Sequence, residues 1–421
     1  MVPRNRAGLL SACLILCFAL TLVSCKKSGP SSQGIDTPLD LPAGSEAVTT
    51  AANQFALNAF QQTLQTEPAG TNMLISPMSI YFALGMTYNG AAGTTADSMA
   101  KALNLTGIPA GQFNAVSKAL LQQLPKEDNK VQLSIANSIW YNKTFPQPTA
   151  AFGDTVANQF LATLQGLDFS NASSTNTINS WAAKNTGNKI PTIIKSLSAD
   201  DIMLLINAIY FNGTWLNSFK TSDTHTQPFH LSNGSTVNVP FLNQQVDIRT
   251  FTTAAYTLAE LPYGTGKAFD MYLAIPNNNG DVKQLAQSLD ATALAASISK
   301  LDTAKVRLTI PKWEYAYFID NMEPELSQMG MGIAFSGAAD FANIYPTVPV
   351  SITKVIHKTY ISVSEEGTQA AAVTAVLMTL TSVVTPSIQT IVADHPFVYL
   401  IVEKQTGTIL FIGVVNDPSQ H

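Results

Sequence analysis

The chain has 421 residues, of which 46 % are apolar, which is ample material for a buried core and too much for a disordered segment. Its 24 glycines and 22 prolines are near average use, so collagen-like and low-complexity chains are excluded. The net charge is 23 − 28 = −5, which offers no basic footprint for nucleic acid, and the charged fraction is 12 % against a usual value of about 25 %. A surface of Ser, Thr, Asn and Gln suits a secreted protein.

The N-terminus reads as an address. Arg4 and Arg6 precede an uncharged apolar run at 7–23, which is at the short limit for a bilayer span of roughly 20 residues. Basic residues followed by such a run make a signal peptide. The run ends Leu22-Val23-Ser24-Cys25, which resembles the lipobox of a bacterial lipoprotein, where cleavage precedes the Cys and the Cys receives acyl chains. The alternative is an ordinary signal peptide with a chance Cys. The three cysteines are Cys13, Cys17 and Cys25, so the mature body holds no disulfide, thiolate metal site or Cys nucleophile. Residues 1–24 are read as the signal peptide and 25–46 as a flexible tether rich in Ser, Gly and Pro. Lys26 follows the lipobox Cys; under the familiar sorting rule this favours the outer membrane. The body is 47–421, one domain.

Along the body, Leu57, Phe60 and Leu64 have helical spacing over 47–65. Ser76-Pro77 interrupts, and 80–88 is a second helix stopped by Asn89-Gly90. Residues 132–141 are a strand, 176–187 a helix, and 203–211 a strongly apolar buried strand. Further strands are expected at 256–262, 269–275, 306–310, 355–363, 397–403 and 409–415, with helical interludes at 282–300 and 324–330. No repeat and no linker divides this stretch, so an α+β domain of several sheets is expected.

Catalytic and metal-binding patterns are missing. The histidines His225, His230, His357, His395 and His421 form no HExxH and no Cys/His cluster, and no metal site or cofactor is expected. No G-x-S-x-G elbow and no phosphate-binding glycine loop occur. A hydrolase reading therefore has no motif behind it, and the protein is not expected to be an enzyme.

Seven stretches in register carry a resemblance: Asn72-Met-Leu-Ile-Ser-Pro-Met-Ser-Ile80, Asn207-Ala-Ile-Tyr-Phe-Asn-Gly-Thr-Trp215, Leu261-Pro-Tyr263 with Leu273-Ala-Ile-Pro276, Leu326-Ser-Gln-Met-Gly-Met331 with Phe335-Ser336 and Ala339-Asp340, Val355-Ile-His-Lys358, Glu365-Glu-Gly-Thr-Gln-Ala-Ala-Ala372, and His395-Pro-Phe397 with 410–418. Together they resemble the serpin family of serine protease inhibitors from about residue 50 to 418. The resemblance implies an α+β serpin fold with three β-sheets, eight to nine helices and an exposed reactive-centre loop. It also implies a suicide mechanism. The protease attacks the loop and forms an acyl-enzyme. The cut loop then enters the main sheet as a new strand and drags the covalently bound protease, distorting its active site.

The loop sequence suits that task. A strand sends alternate side chains to one face, so from Thr368 the inward series is Thr368, Ala370, Ala372, Thr374, Val376 and Met378. None is charged, and 367–381 contains no Pro, which would delete a ladder hydrogen bond. The hinge comprises Glu365, Gly367, Thr368, Ala370, Ala371 and Ala372. Gln369 and Val373 depart from the family pattern, but both fall on the outward series. Family spacing counted from Glu365 places the reactive bond at Thr381-Ser382. The segment from there to His395 is longer than usual, so Met378, Leu380 and Val384 stay open as alternatives.

The resemblance also implies supporting residues. Ser76, Ser79, Asn207 and His357 match the shutter, a polar cluster beneath the main sheet. Trp215, Lys312 and Glu365 match the breach, where the loop first enters. The expected partners are target proteases, held as covalent acyl complexes, and a membrane reached through Cys25; nucleic acid is not one. The protein is expected to act as a monomer at the outer membrane, on the periplasmic side or the cell surface. Between Lys358 and Lys404 there is no Lys or Arg. Trypsin-like enzymes need a cation at the cut, so elastase-, subtilisin- or chymotrypsin-like serine endopeptidases are favoured, with cysteine endopeptidases open. The competing reading is a non-inhibitory member used as a surface binding protein.

Overall fold

A computed structural model describes residues 38–368 and 388–420. The signal peptide with Cys25, and the loop residues Ala370, Ala371, Ala372, Met378, Leu380, Thr381, Ser382 and Val384, lie outside the described residues.

The helix expected at 47–65 is Ser45–Thr66, and its inner side buries Phe55, Leu57, Phe60 and Leu64. Pro77–Tyr88 begins with Pro in its first turn, where the missing N–H costs nothing. Eleven of its twelve residues are buried, so it is a core helix with no wet face. Its Tyr81 ring meets Phe55 and Phe113, and Phe113 meets Phe160, with successive ring centroids 5.4–5.9 Å apart. Each such side chain contributes about 1.5–3 kcal/mol by leaving water. The helical stretch expected at 282–300 is two helices, Val282–Ser288 and Ala291–Ser299. The break comes at Asp290, whose carboxylate accepts from the Thr292 and Ala293 N–H groups and so starts the second helix. Nine α-helices occur among the described residues, and none there is long and apolar enough to cross a membrane.

A six-stranded sheet runs in the order Trp313–Ile319, Val355–Ser364, Gly367–Thr368, Met203–Thr214, Val131–Asn142, Thr163–Leu167. The other strands form one nine-stranded ladder. Two of the three expected sheets are continuous there because Thr236–Thr252 is 17 residues long, about 56 Å when extended. It pairs with His225–His230 at one end, Asp302–Pro311 along its middle, and Tyr256–Pro262 at the other end.

The folded body starts earlier than the tether reading allows. Leu39 is buried. Its N–H and C=O pair with the amide of Gln405 at 2.8 and 2.7 Å, and those of Asp40 pair with Gln123. Backbone polar groups satisfied in this way, beside an anchored leucine, make 38–46 part of the domain.

Candidate functional site

The six-stranded sheet contains a slot. Val355–Ser364 and Met203–Thr214 are parallel neighbours, yet they pair only at Val355 with Leu205 and Ile356 with Ile206. At the other end Gly367–Thr368 lies between them. Thr368 pairs with Val363 on one side and Gly213 on the other, both antiparallel. Between these closures the facing edges at 207–212 and 357–362 have no strand partner among the described residues. Two strands held apart by a two-residue wedge are a seat for one more strand.

The hinge is held in place by several contacts. The Trp215 N–H donates to Glu366 O at 2.9 Å and the Phe219 N–H to Glu365 O at 2.8 Å. The Trp215 indole N–H donates to Ser364 O at 3.0 Å, and its ring stacks on Tyr263 at 4.5 Å. Thr368 is 2 % exposed, and its Oγ1 lies 2.7 Å from the Tyr263 hydroxyl. Burial pushes the Tyr263 hydroxyl pKa up, so the group stays neutral. Thr368 therefore faces inward. Gly367 has φ 146°, and a Cβ there would sit 2.1 Å from Gly213 O, so only glycine allows the two backbones to approach this closely.

Glu365 receives Lys312 Nζ at 2.9 Å and the Thr224 hydroxyl at 2.9 Å. Partial burial alone would raise its pKa, but these donors and a backbone N–H outweigh it and hold the carboxyl below its usual range. With 36 % of the Lys312 side chain exposed, the pair contributes about 0–1 kcal/mol. It ties Glu365 of the hinge to Lys312.

Beneath the slot lies the polar cluster. Ser76 caps the core helix by position only. Its hydroxyl donates to Leu410 O at 2.7 Å, and its N–H donates to His357 Nε2 at 3.0 Å. His357 is fully enclosed, and burial pushes its pKa down to about 3, so the ring is neutral and accepts through Nε2. Ser79 donates to Asn207 Oδ1, Asn207 donates to Asn137 Oδ1, and Asn137 donates to Phe160 O at 3.1 Å. The four expected shutter residues thus lie in two hydrogen-bond chains that share the start of one helix. The three expected breach residues meet at the hinge.

Sequence reasoning missed Asn137, Thr224 and Tyr263. Asn137 had a signal: it is a polar residue inside an apolar strand, and it pairs in register with Asn207. Thr224 has none, because a 3₁₀ turn at Thr221–Asp223 brings it to Glu365. Among the described residues no group of three or more His, Cys, Asp or Glu side chains could hold a metal ion. The arrangement seats the two-residue strand Gly367–Thr368 between two parallel strands.

The chain matches the family model described as serpin (serine protease inhibitor) over residues 50–418. It is 32 % identical over 368 residues to an uncharacterized serpin-like protein, TK1782, of Thermococcus kodakarensis, covering 86 % of this chain and 85 % of the relative. It is 31 % identical to the leukocyte elastase inhibitor of Bos taurus, covering 89 % of this chain and all of that protein. Among solved structures it resembles tengpin, a thermophilic serpin in the native state, with a TM-score of 0.82, 28 % identity, and coverage of 91 % and 100 %. A slot with a seated hinge, a neutral polar floor beneath it, and a match over nearly the whole described body make this chain a member of the serpin family.

Proposed function

We propose that this protein inhibits serine endopeptidases as a suicide substrate, by inserting its cleaved loop into the slot. The family supports protease inhibition in general. The observation that carries the finer reading is register. Thr368 already pairs on both sides of the slot, with Val363 and Gly213. Each following residue then pairs one step lower on both edges. Thr374 reaches Asn207 and His357, at the polar floor. Ala375 and Val376 reach the two pairs that close the slot, Ile206–Ile356 and Leu205–Val355, and must replace them. Met378 reaches Met203, the first residue of its strand. The inward residues on this path are Thr368, Ala370, Ala372, Thr374, Val376 and Met378, all uncharged.

A strand filling 368–378 carries the acylated end about 33 Å along the sheet. Cleavage at Thr381-Ser382 leaves just enough chain beyond Met378 to hold the protease at the far pole. The lack of Lys and Arg from 359 to 403 favours apolar-selective proteases, in keeping with the name of the elastase-inhibitor relative. Arg4, Arg6, the apolar run and Cys25 support a lipid anchor at the outer membrane, and Lys26 supports that sorting.

Incubation with elastase, subtilisin, chymotrypsin, trypsin and papain, with denaturing gels and mass spectrometry of the loop, tests this reading. A gel-stable complex with an apolar-selective serine protease, cut within three residues of Thr381, is expected. Cleavage by every protease without any complex refutes the inhibitor reading and favours a binding role.

A further inference from the structure

The turn between the strands His225–His230 and Thr236–Thr252 reads Leu231-Ser-Asn-Gly-Ser235. The Leu231 N–H donates to Ser235 O at 2.8 Å, and the Gly234 N–H donates back to Leu231 O at 3.0 Å. Asn233, Gly234 and Ser235 are exposed. The Asn233 amide oxygen accepts twice from Ser235, from its N–H at 2.9 Å and from its hydroxyl at 2.6 Å. These bonds fold the Asn233 side chain forward over the Gly234 peptide and draw electron density away from Cγ. Gly234 has φ 85°, and a Cβ there would meet nothing within 4 Å. A polarised amide carbon is thus held beside an unhindered backbone nitrogen.

We propose that Asn233 is a self-modification site: it cyclises onto Gly234, with Ser235 assisting, and opens to aspartate or isoaspartate. The Gly234 nitrogen, its proton taken by hydroxide, leaves Leu231 O and attacks Asn233 Cγ. The carbonyl electron pair moves to Oδ1, where the two Ser235 donors stabilise the oxyanion. The pair returns, the Cγ–Nδ2 bond breaks, and Nδ2 departs as ammonia with a proton from water. A five-membered imide remains. Water then opens one of its two carbonyls, giving aspartate at one and isoaspartate at the other. One ammonia has left and one water has entered; nothing is oxidised or reduced. Either product adds a carboxylate to a chain already at −5, beside the cavity of about 540 Å³ that Ser232 and Gly234 help to line. The isoaspartate product also lengthens the turn that sets the pairing of His230 with Thr236. The step needs no enzyme and is independent of the insertion reading.

The sequence holds four Asn-Gly pairs, and the structure separates them. Asn89 is locked: its Nδ2 donates to Gly85 O and Asn114 Oδ1, its Oδ1 accepts from Asn114 Nδ2, and Gly90 is buried. Asn212-Gly213 lies inside the strand Met203–Thr214, paired with Gln132 and Val131. An extended backbone points the side chain away from the next nitrogen. Asn279-Gly280 is followed by Asp281, whose carboxylate already accepts from the Lys283 and Gln284 N–H groups and has no proton to donate to an amide oxygen. Only Asn233 combines an open turn with a hydroxyl donor on its amide oxygen.

Peptide mapping of the intact protein, aged in mildly alkaline buffer, tests this. Conversion is read as a mass gain of about 1 Da on the peptide that holds Asn233, and isoaspartate as methylation by an isoaspartyl methyltransferase. In the folded protein Asn233 should convert roughly tenfold faster than Asn89, Asn212 or Asn279. In urea the four rates should converge, because the selection is made by the fold. Ser235→Ala removes one of the two oxyanion donors from an exposed position and should slow conversion roughly fivefold. Asn233→Gln would have to close a six-membered ring and should stay unmodified. Equal rates for the four pairs in the folded protein overturn the proposal. So does unchanged or faster conversion in Ser235→Ala, which would mean that these bonds restrain the turn instead of promoting attack. A mass gain that persists in Asn233→Gln belongs to another residue and overturns the assignment.

Discussion

Thr368→Arg tests insertion at its first step. The Thr368 side chain is 2 % exposed, its residue is paired on both sides, and its hydroxyl meets Tyr263 at 2.7 Å. An arginine here sets a cation against the stacked Tyr263 and Trp215 rings, while Glu365 is already engaged by Lys312 and Thr224. Burying an unpaired charge costs several kcal/mol. The hinge is held by a few hydrogen bonds of about 0.5–1.5 kcal/mol each. The charge wins, and the hinge leaves the slot. A penalty of about 4 kcal/mol on insertion lowers the ratio of trapping to hydrolysis by up to about a thousandfold. The assay is the stoichiometry of inhibition against an apolar-selective protease, with complex and cleaved inhibitor resolved on a denaturing gel. The mutant should be consumed as a substrate, and Thr368→Ser, which keeps the hydroxyl for Tyr263, should trap normally. If Thr368→Arg still traps protease mole for mole, the hinge does not enter the sheet and the reasoning from register is wrong.

Acid should weaken the fold through His357. Its folded pKa of about 3 lies below the unfolded value of about 6.5. Its contribution is therefore complete above about pH 6.5 and is lost as pH falls toward 3, by about 2 kcal/mol at pH 5. Denaturant midpoints should show this loss in the wild type and not in His357→Gln; equal pH slopes would count against the buried neutral ring. Asn137→Ala leaves Asn207 without its acceptor and should cost about 1–3 kcal/mol, measured by urea unfolding; a change below about 0.5 kcal/mol would remove Asn137 from the network. Cys25→Ala should move the protein out of the membrane fraction, and continued membrane partitioning would dismiss the lipobox. Trypsin should be trapped poorly, because no Lys or Arg lies between Lys358 and Lys404; rapid stoichiometric trapping of trypsin in the loop would refute that account of specificity.

Local pattern determined much of this protein by itself. The apolar spacing of Leu57, Phe60 and Leu64 determines a helix, and the apolar runs at Met203–Thr214, Phe397–Glu403 and Ile409–Val415, with the alternating pattern at Val355–Ser364, determine strands. Such elements bury their own side chains on a fixed period, so a short window of residues is enough. The long strand Thr236–Thr252 was not legible in this way. It contains Pro240, Gln244 and Gln245, and it is extended because Asp302–Pro311 pairs with it residue by residue. Thr163–Leu167, which contains Gly166, is an edge strand for the same reason. Residues 38–46 looked like tether because their anchors, Gln123 and Gln405, are far away in sequence.

The motifs named Asn207, His357, Glu365 and Lys312 one by one, but the slot itself belongs to no segment. It exists because two parallel strands about 150 residues apart in the chain pair over two residues and are then wedged apart by Gly367 and Thr368. Which strand faces which is a non-local choice, made by the summed burial of the whole core. That choice alone brings Ser76 to His357, Asn137 to Asn207, and His395 to the carbonyl of Pro276.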